Sequence, residues 1–323
     1  MRALALFSGG LDSILSVKLI QDQGIEVVGV CFESPFFSSD KGARSARNIE
    51  LPLKIMDITD ELLKAVLNPR HGYGKGMNPC IDCHQLMFKM VGEMLKEEAA
   101  DFMISGEVVG QRPMSQNLRS LSTIAHGTDF KERILRPLSA KLLPETLPEK
   151  QGWVRRENLL GLSGRSRKPQ IELARSFGVA EYPSPAGGCL LTEKVFSRRL
   201  KDLVFLNPGF SRRDVEFLKV GRHFRLSDHV KIVVGRNRVE NEVISSLREE
   251  RDTMLRVESI AGPTALAIGE LSADEIASAA AMTASYSDAS PHESVTVRIT
   301  RGSKDKCVLA EKREKSDFIP LMI

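Results

Sequence analysis

The stretch Ala3-Leu4-Ala5-Leu6-Phe7-Ser8-Gly9-Gly10-Leu11-Asp12-Ser13 decides how the rest of the chain is read. Five apolar residues fit a buried strand, and Ile14, Leu15, Val17, Lys18 and Leu19 continue beyond the turn with helical spacing. The two glycines let the backbone turn sharply and bring its N–H groups close to a ligand. The helix that follows points the positive end of its dipole at the same place. Ser8 and Ser13 add hydroxyl donors for phosphate oxygens, and Asp12 adds a carboxylate to hold a metal ion or orient the backbone nest. The stretch reads as a phosphate cradle. It is not a Walker loop: G-x-x-x-x-G-K-[ST] does not occur, and Gly72-Tyr73-Gly74-Lys75-Gly76 lacks both the spacing and the hydroxyl.

Outward from this turn, apolar runs recur at 3–7, 27–32, 53–58, 102–105 and 134–135. Helical patterns lie between them, near 12–23, 41–49, 60–67, 83–98 and 114–125. Such alternation predicts an α/β fold, a doubly wound parallel sheet covered by helices on both faces. Ligands bind such sheets beyond the carboxyl ends of the strands, where the loop 8–13 lies. Near residue 195 the text turns basic, with Phe196-Ser197-Arg198-Arg199, Ser211-Arg212-Arg213 and Gly221-Arg222-His223-Phe224-Arg225. A strand at 230–234, a helix near 239–251 and a strand at 264–268 follow. Ser272-Ala273-Asp274-Glu275 is a capping box opening an Ala-rich helix, and alternation from Val295 predicts a closing hairpin. The expected domains are 1–195 and a smaller basic α+β domain, 196–323.

Composition sets the class. Of 323 residues, 42% are hydrophobic and 27% charged, which suits a soluble globular protein. No run approaches the ~18 apolar residues of a membrane span. The N-terminus enters a strand with no signal-peptide pattern, and five unevenly spaced cysteines make no disulfide framework, so a reducing cytoplasm is expected. Net charge is +4, but residues 151–240 hold 18 Lys/Arg against 9 Asp/Glu. That block suits either a polyanionic partner or a plain solvated basic face.

Three cysteines form a pattern. Cys80 and Cys83 stand in Asn78-Pro79-Cys80-Ile81-Asp82-Cys83-His84, ahead of the amphipathic run Leu86, Met87, Met90, Val91, Met94 and Leu95. Pro79 marks a helix start, which places the two thiols on one side and predicts that the helix dipole lowers their pKa. Cys189 follows Gly187 and Gly188, which permit close backbone approach. Cys31 and Cys307 read as buried small hydrophobes. The trio admits a zinc site completed by His84 or His71, a persulfide relay between Cys83 and Cys189, or an iron–sulfur cluster.

The loop Ser8-Gly9-Gly10-Leu11-Asp12-Ser13 resembles the pyrophosphatase loop of the N-type ATP pyrophosphatases, PP-loop enzymes that cleave ATP to AMP and pyrophosphate. With Asn78-Pro79-Cys80-Ile81-Asp82-Cys83 and the late Gly188-Cys189, the layout over roughly 1–195 is similar to that of tRNA thiolation enzymes, the 2-thiouridylases and 4-thiouridine synthases. The resemblance implies an adenine nucleotide alpha-hydrolase-like fold. It further implies ATP and Mg²⁺ held by Ser8, Gly9, Gly10, Asp12, Ser13 and Gly106, with Asp12, Cys80, Cys83 and Cys189 catalytic. The 2-thiouridylases often carry aspartate at the place of Cys80. Cysteine there shifts the likeness toward three-cysteine thiolases, in which Cys80, Cys83 and Cys189 would ligate a [4Fe–4S] cluster with one open iron.

Before a helix expected at 171–177, Arg165, Arg167 and Lys168 with free helix N–H groups make an anion site for tRNA phosphate or the ATP tail. The region from about 200 to 290 is similar to the NFACT-R type RNA-binding module, through the segments Lys219-Val220-Gly221-Arg222 and Val234-Gly235-Arg236-Asn237. Arg222, Arg225 and Arg236 would contact nucleic acid there. The expected activity is an ATP-dependent tRNA sulfurtransferase that adenylates a uridine carbonyl and replaces its oxygen with sulfur. The implied partners are tRNA and a sulfur donor, sulfide or a persulfide carrier, with a homodimer left open and no membrane. The rivals are a small-molecule ATP pyrophosphatase making an amide or thioamide, and a non-catalytic RNA-binding protein.

Overall fold

Short, mainly apolar runs form the five strands of the first sheet; the inner strands are buried on both faces, whereas Leu53–Asp57 at the edge, with Lys54 and Asp57, is largely exposed. In the computed structural model, which describes residues 1–184, 189–207 and 209–323, the chain divides into two units, Met1–Thr192 and Glu193–Ile323. The first unit runs β1 (Arg2–Leu6), α1 (Leu11–Gln21), β2 (Glu26–Glu33), α2 (Asp40–Asn48), β3 (Leu53–Asp57) and α3 (Thr59–Leu67). It continues with α4 (Cys80–Met94), β4 (Phe102–Ser105), α5 (Leu118–His126), β5 (Ile134–Leu135), α6 (Leu147–Lys150) and α7 (Lys168–Ser176).

The sheet is parallel throughout, in the order β3-β2-β1-β4-β5. Chain order reverses beside β1, so the crevice of this topology opens at the carboxyl ends of β1 and β4. Alternate residues serve opposite faces. Ala3, Ala5, Phe102, Ile104 and Leu135 pack with Ile14, Leu15, Val17 and Ile20 of α1 and with Ala174 of α7. Leu4, Met103 and Ile134 are buried on the other side, where α4 lies against β1. Helix α1 is buried nearly all round, and truncating Leu15 to alanine would cost about 2–5 kcal/mol. This helix is the fixed platform for the loop before it.

The second unit runs α8 (Lys194–Leu206), α9 (Arg212–Phe217), β6 (Arg222–Ser227), β7 (Val230–Val234), α10 (Arg238–Ser246), β8 (Thr253–Val257), β9 (Ala265–Ile268), α11 (Ala273–Ser285), β10 (Ser294–Arg301) and β11 (Lys304–Glu311). Its sheet is antiparallel, in the order β11-β10-β8-β9-β7-β6. Ile232 and Val234 face the alanines of α11, whereas Val233 faces Phe217 and Ile244 on α9 and α10. The expected capping box is present: Ser272 accepts from Glu275 N–H and the Glu275 side chain accepts from Ser272 N–H. The hairpin of β10 and β11 closes the unit. No described helix is long and apolar enough to cross a membrane.

Candidate functional site

The loop after β1 takes its shape from two glycines. Gly9 has φ +72°, and a Cβ there would lie 2.5 Å from the Lys41 carbonyl oxygen, so only glycine lets α2 approach this closely. Ser45 Oγ donates to the Gly9 carbonyl at 2.9 Å, and Ser13 Oγ donates to the Gly10 carbonyl at 2.8 Å. Gly10 is the N-cap of α1 and no side chain caps it, which leaves first-turn N–H groups for an anion. Ser8 is exposed at the mouth. Gly106 was expected against the nucleotide; the structure places it against the loop itself, where a Cβ would meet Ser13 N at 2.5 Å and the Asp12 carbonyl carbon at 2.6 Å.

Around Asp12 lies a group of polar atoms drawn from three segments. Gln111 Nε2 donates to Asp12 Oδ2 at 2.8 Å, while Asp12 Oδ1 is buried with no partner among the described residues. Burial pushes the Asp12 carboxyl above its ordinary value, against the pull of Gln111, Arg167 and Arg112. Arg167 Nε and Gln111 Oε1 are likewise buried and unpartnered, and the buried Gln170 side chain lies close enough to favour the ionised Asp12 carboxyl. The loop carrying Arg167 is held to the β4 loop by Gly164 N–H donating to the Val109 carbonyl at 2.7 Å. Polar atoms in a protein interior are normally satisfied. Orphaned atoms of Asp12, Gln111 and Arg167 at one crevice suit a polar, charged ligand that supplies the missing partners. Asp12 suits a phosphate-bound Mg²⁺ and Arg167 suits the phosphates.

The three thiols meet at the N-terminus of α4. Cys80 opens α4 after Pro79, and Cys83 follows one turn later. Met77 N–H donates to the Leu191 carbonyl at 3.1 Å, and Leu190 N–H donates to the Phe36 carbonyl at 3.1 Å, which brings the Cys189 segment onto the α4 N-terminus. Cys189 and Cys80 are both near enough to Cys83 to act on its thiol electrostatically. Cys83 is buried, and Cys80 and Cys189 are half-buried. The expected lowering of pKa by the helix dipole is not found. Burial pushes Cys83 strongly up, with Cys189, Cys80 and Asp82 adding to it, and burial pushes Cys80 up against the pull of Arg112. Desolvation outweighs half a dipole charge when the thiol is shielded from water. Gly187 and Gly188 lie outside the described residues.

One guanidinium connects the two features. Arg112 favours the ionised form of both Asp12 and Cys80, so the crevice and the thiols share one electrostatic environment.

Neither histidine weighed as a zinc ligand stands alone. His84 Nδ1 is 2.8 Å from Glu107 Oε1, and Glu107 Oε2 accepts from Arg136 Nε at 2.8 Å. Burial alone would raise Glu107, but Arg136 and His84 bring its carboxyl down to about 2. His71 Nδ1 lies 3.0 Å from Asp82 Oδ1. Three thiols are the right donors for a cluster with one open iron, yet among the described residues no group of three His, Cys, Asp or Glu is placed to hold a metal ion. No step is therefore routed through a cluster. Elsewhere, Cys31 is buried as expected, and its thiol is pushed up to about 11, chiefly by burial. Cys307 is exposed on β11, contrary to expectation, because its strand face looks to solvent.

The six basic residues separate into groups. Arg165 and Lys168 are exposed at the start of α7, and Arg167 turns in toward Asp12. Arg222 stacks on Tyr286 at 4.8 Å from the ring centroid. Arg225 forks onto Asp202, with Nε donating to Oδ1 at 3.1 Å, and Arg236 Nε donates to Glu240 Oε1 at 2.9 Å. The last two charges are neutralised within the second unit. The segment 105–111 reads from sequence as the rim of the pocket, but the sequence assigns no role to Gln111 or Glu107 individually, nor to Gln170, Arg112 or Arg136. Amides and lone charges in loops carry no spacing signature, and only the fold gathers them.

Comparison with known proteins finds a match in each of the two units. Residues 1–141 match the family model for the thiamine biosynthesis protein ThiI, and residues 221–317 match the model for the NFACT protein RNA binding domain. The tRNA-specific 2-thiouridylase MnmA of Trichlorobacter lovleyi is 26% identical over 157 residues, covering 45% of this chain and 44% of that protein. The same enzyme of Syntrophomonas wolfei is 29% identical over 111 residues, covering 33% of each. A solved 4-thiouridine synthetase–RNA complex with bound ATP is 23% identical, with a TM-score of 0.39 over 55% of this chain and 41% of that one. The chain spans less than half the length of the curated relatives it matches. The first part of the chain is thus similar to tRNA thiolation enzymes, and residues 221–317 are similar to an RNA-binding domain.

Proposed function

We propose that this protein is an ATP-dependent tRNA sulfurtransferase. The observation that supports the reading is that Arg112 acts on both Asp12 and Cys80, as it would if the nucleotide loop and the thiols served one reaction. The loop 8–13 and the N-terminus of α1 would bind the triphosphate, with Mg²⁺ on Asp12 and Arg167 on the phosphates. Bound Mg²⁺ would neutralise charge on the phosphates. The uridine carbonyl oxygen attacks the α-phosphorus, the bond to pyrophosphate breaks, and the base is left O-adenylated. Sulfur then adds to the activated carbon and AMP departs.

Exposure leaves Cys80 and Cys189 open to a persulfide carrier and Cys83 closed to it. In this reading Cys189, the partner of Cys83 in the resemblance to the 2-thiouridylases, takes the terminal sulfur as a persulfide. That sulfur attacks the base. Buried Cys83 then displaces the thiolated base from the inner sulfur of Cys189, giving a Cys83–Cys189 disulfide that a thiol reductant of the cell reopens. Cys83, held as a thiol by burial, is protected from premature oxidation until it loses its proton.

The test is reconstitution. Purified protein with ATP, Mg²⁺, a sulfur donor and unmodified tRNA should release pyrophosphate only when tRNA is present, and mass spectrometry should find a thiolated nucleoside. Cys189→Ser should retain pyrophosphate release and lose the thionucleoside. Pyrophosphate release that is indifferent to tRNA would replace this reading with a small-molecule synthetase. Stoichiometric iron and labile sulfide on anaerobically purified protein would replace the persulfide by a cluster-bound sulfide.

A further inference from the structure

The match to the RNA-binding family begins at residue 221, after α8 has ended. Within α8, Lys194, Arg198, Lys201 and Phe205 recur at intervals of four, three and four residues, so they line one side of the helix over about 16 Å. All four are exposed. Phe205, at 82%, is the most exposed large apolar side chain among the described residues. None of the three cations is paired with a carboxylate among the described residues, whereas Arg225, Arg236 and Arg238 of the same unit all are.

The rest of α8 accounts for its packing. Phe196, Leu200 and Leu203 are buried, and Arg199 donates to the carbonyls of Leu218 and Gly221 at 2.8 and 3.0 Å. The helix is therefore anchored without help from its outer face. A solvated face has no need of a bare phenyl ring, and a core-facing stripe has no need of three free cations. Cations that neutralise phosphates beside an aromatic ring that stacks a base are the two components of a single-stranded nucleic-acid site.

We propose that the outer face of α8 is an RNA-binding stripe, with Lys194, Arg198 and Lys201 on successive phosphates and Phe205 stacked on an unpaired base. The identity of the ligand as RNA rests on the function proposed above; the stripe itself rests on the exposure and pairing just described.

The test uses the full-length protein, with tRNA affinity measured by fluorescence anisotropy between about 50 and 200 mM salt. Lys194→Ala/Arg198→Ala/Lys201→Ala should bind at least ~10-fold more weakly and lower the slope of log K against log salt by about 2–3. Phe205→Leu keeps apolar area but removes the ring, and should lose about 10-fold in affinity with the slope unchanged. Melting temperature and nucleotide binding should be unaffected in both, since the four side chains are solvent-facing. Wild-type slope and affinity in both variants would overturn the stripe while leaving the enzyme reading intact. If both variants bind tRNA normally but lose an acidic protein partner, the face belongs to protein and the proposal is overturned. Wild-type protein without salt-dependent tRNA affinity would overturn both readings together.

Discussion

The two units bury charge to different ends. In the first, orphaned polar atoms of Asp12, Gln111 and Arg167 gather at one crevice beyond β1 and β4. In the second, buried charge is mostly consumed internally, with single atoms of Arg199, Arg213, His223, Arg248 and Asp252 left unpartnered among the described residues but spread over more than one place. Asp202 receives Arg225 and Lys231, Glu240 receives Arg236, and Arg199 caps backbone carbonyls. Burial pushes Lys231 down to about 8 despite Asp202 beside it, so this charge is tolerated rather than displayed. The difference teaches that a basic motif in sequence says nothing about whom the charge serves. A partnered buried charge marks architecture, and unpartnered atoms mark a ligand where several from different segments meet, as those of Asp12, Gln111 and Arg167 do.

The largest effect should come from the saturated pair inside the first unit. Glu107→Gln strands Arg136 in the interior and should cost about 3–5 kcal/mol in chemical denaturation. Because the Glu107 carboxyl is held down to about 2, its stabilisation is fully present above the unfolded value of 4.5. It should drain away as pH falls from there toward 2. A denaturation midpoint equal to wild type would mean that Glu107 is not architectural.

Asp12 should behave in the opposite way. Asp12→Asn should lower ATP turnover about 10²–10³-fold while leaving the unliganded protein at least as stable as wild type. The raised carboxyl favours folding when protonated. Asp12 should therefore contribute a fall in melting temperature as pH rises through and above the ordinary carboxylate range, and the asparagine variant should lack it. Loss of stability in Asp12→Asn would place Asp12 with the structural charges.

Arg225 separates the units most sharply, since its motif reads as a nucleic-acid contact and its geometry as a fork on Asp202. Arg225→Ala should destabilise by about 1.5–3 kcal/mol and leave the tRNA salt slope unchanged. A reduced slope with unchanged melting would restore the sequence reading. The smallest effect belongs to the exposed pair at the start of α7. Arg165→Ala and Lys168→Ala should each weaken tRNA or nucleotide binding a few-fold and lower the salt slope by about 1, with no change in melting.

Much of this was legible in advance where one physical signal dominated. Four of the parallel strands followed from short apolar runs and β3 from a run broken by Lys54 and Asp57, while the cradle followed from Gly9 and Gly10 between a strand and a helix. The capping box at Ser272 and the closing hairpin were equally readable. Strand β8 was missed because Arg256 interrupts its apolar residues and an acidic and basic run precedes it. Strand β6 was hidden because Arg222, His223 and Arg225 look like a solvated patch, while His223 is in fact wholly buried and its imidazole is pushed well down by that burial. The thiol pKa directions were misread because local helix geometry is visible in sequence and desolvation is not. Gln111 and Gln170 had no signature at all until the loops met.

The central claim is that the thiols and the nucleotide crevice form one centre, and alkylation footprinting tests it most directly. Iodoacetamide labelling of each cysteine should be followed by mass spectrometry with and without a non-hydrolysable ATP analogue and Mg²⁺. Bound nucleotide should slow labelling of Cys80 and Cys189 and leave Cys307, exposed in the other unit, at its original rate. Equal labelling of Cys80 and Cys189 in both states, with nucleotide shown to be bound, would contradict the account.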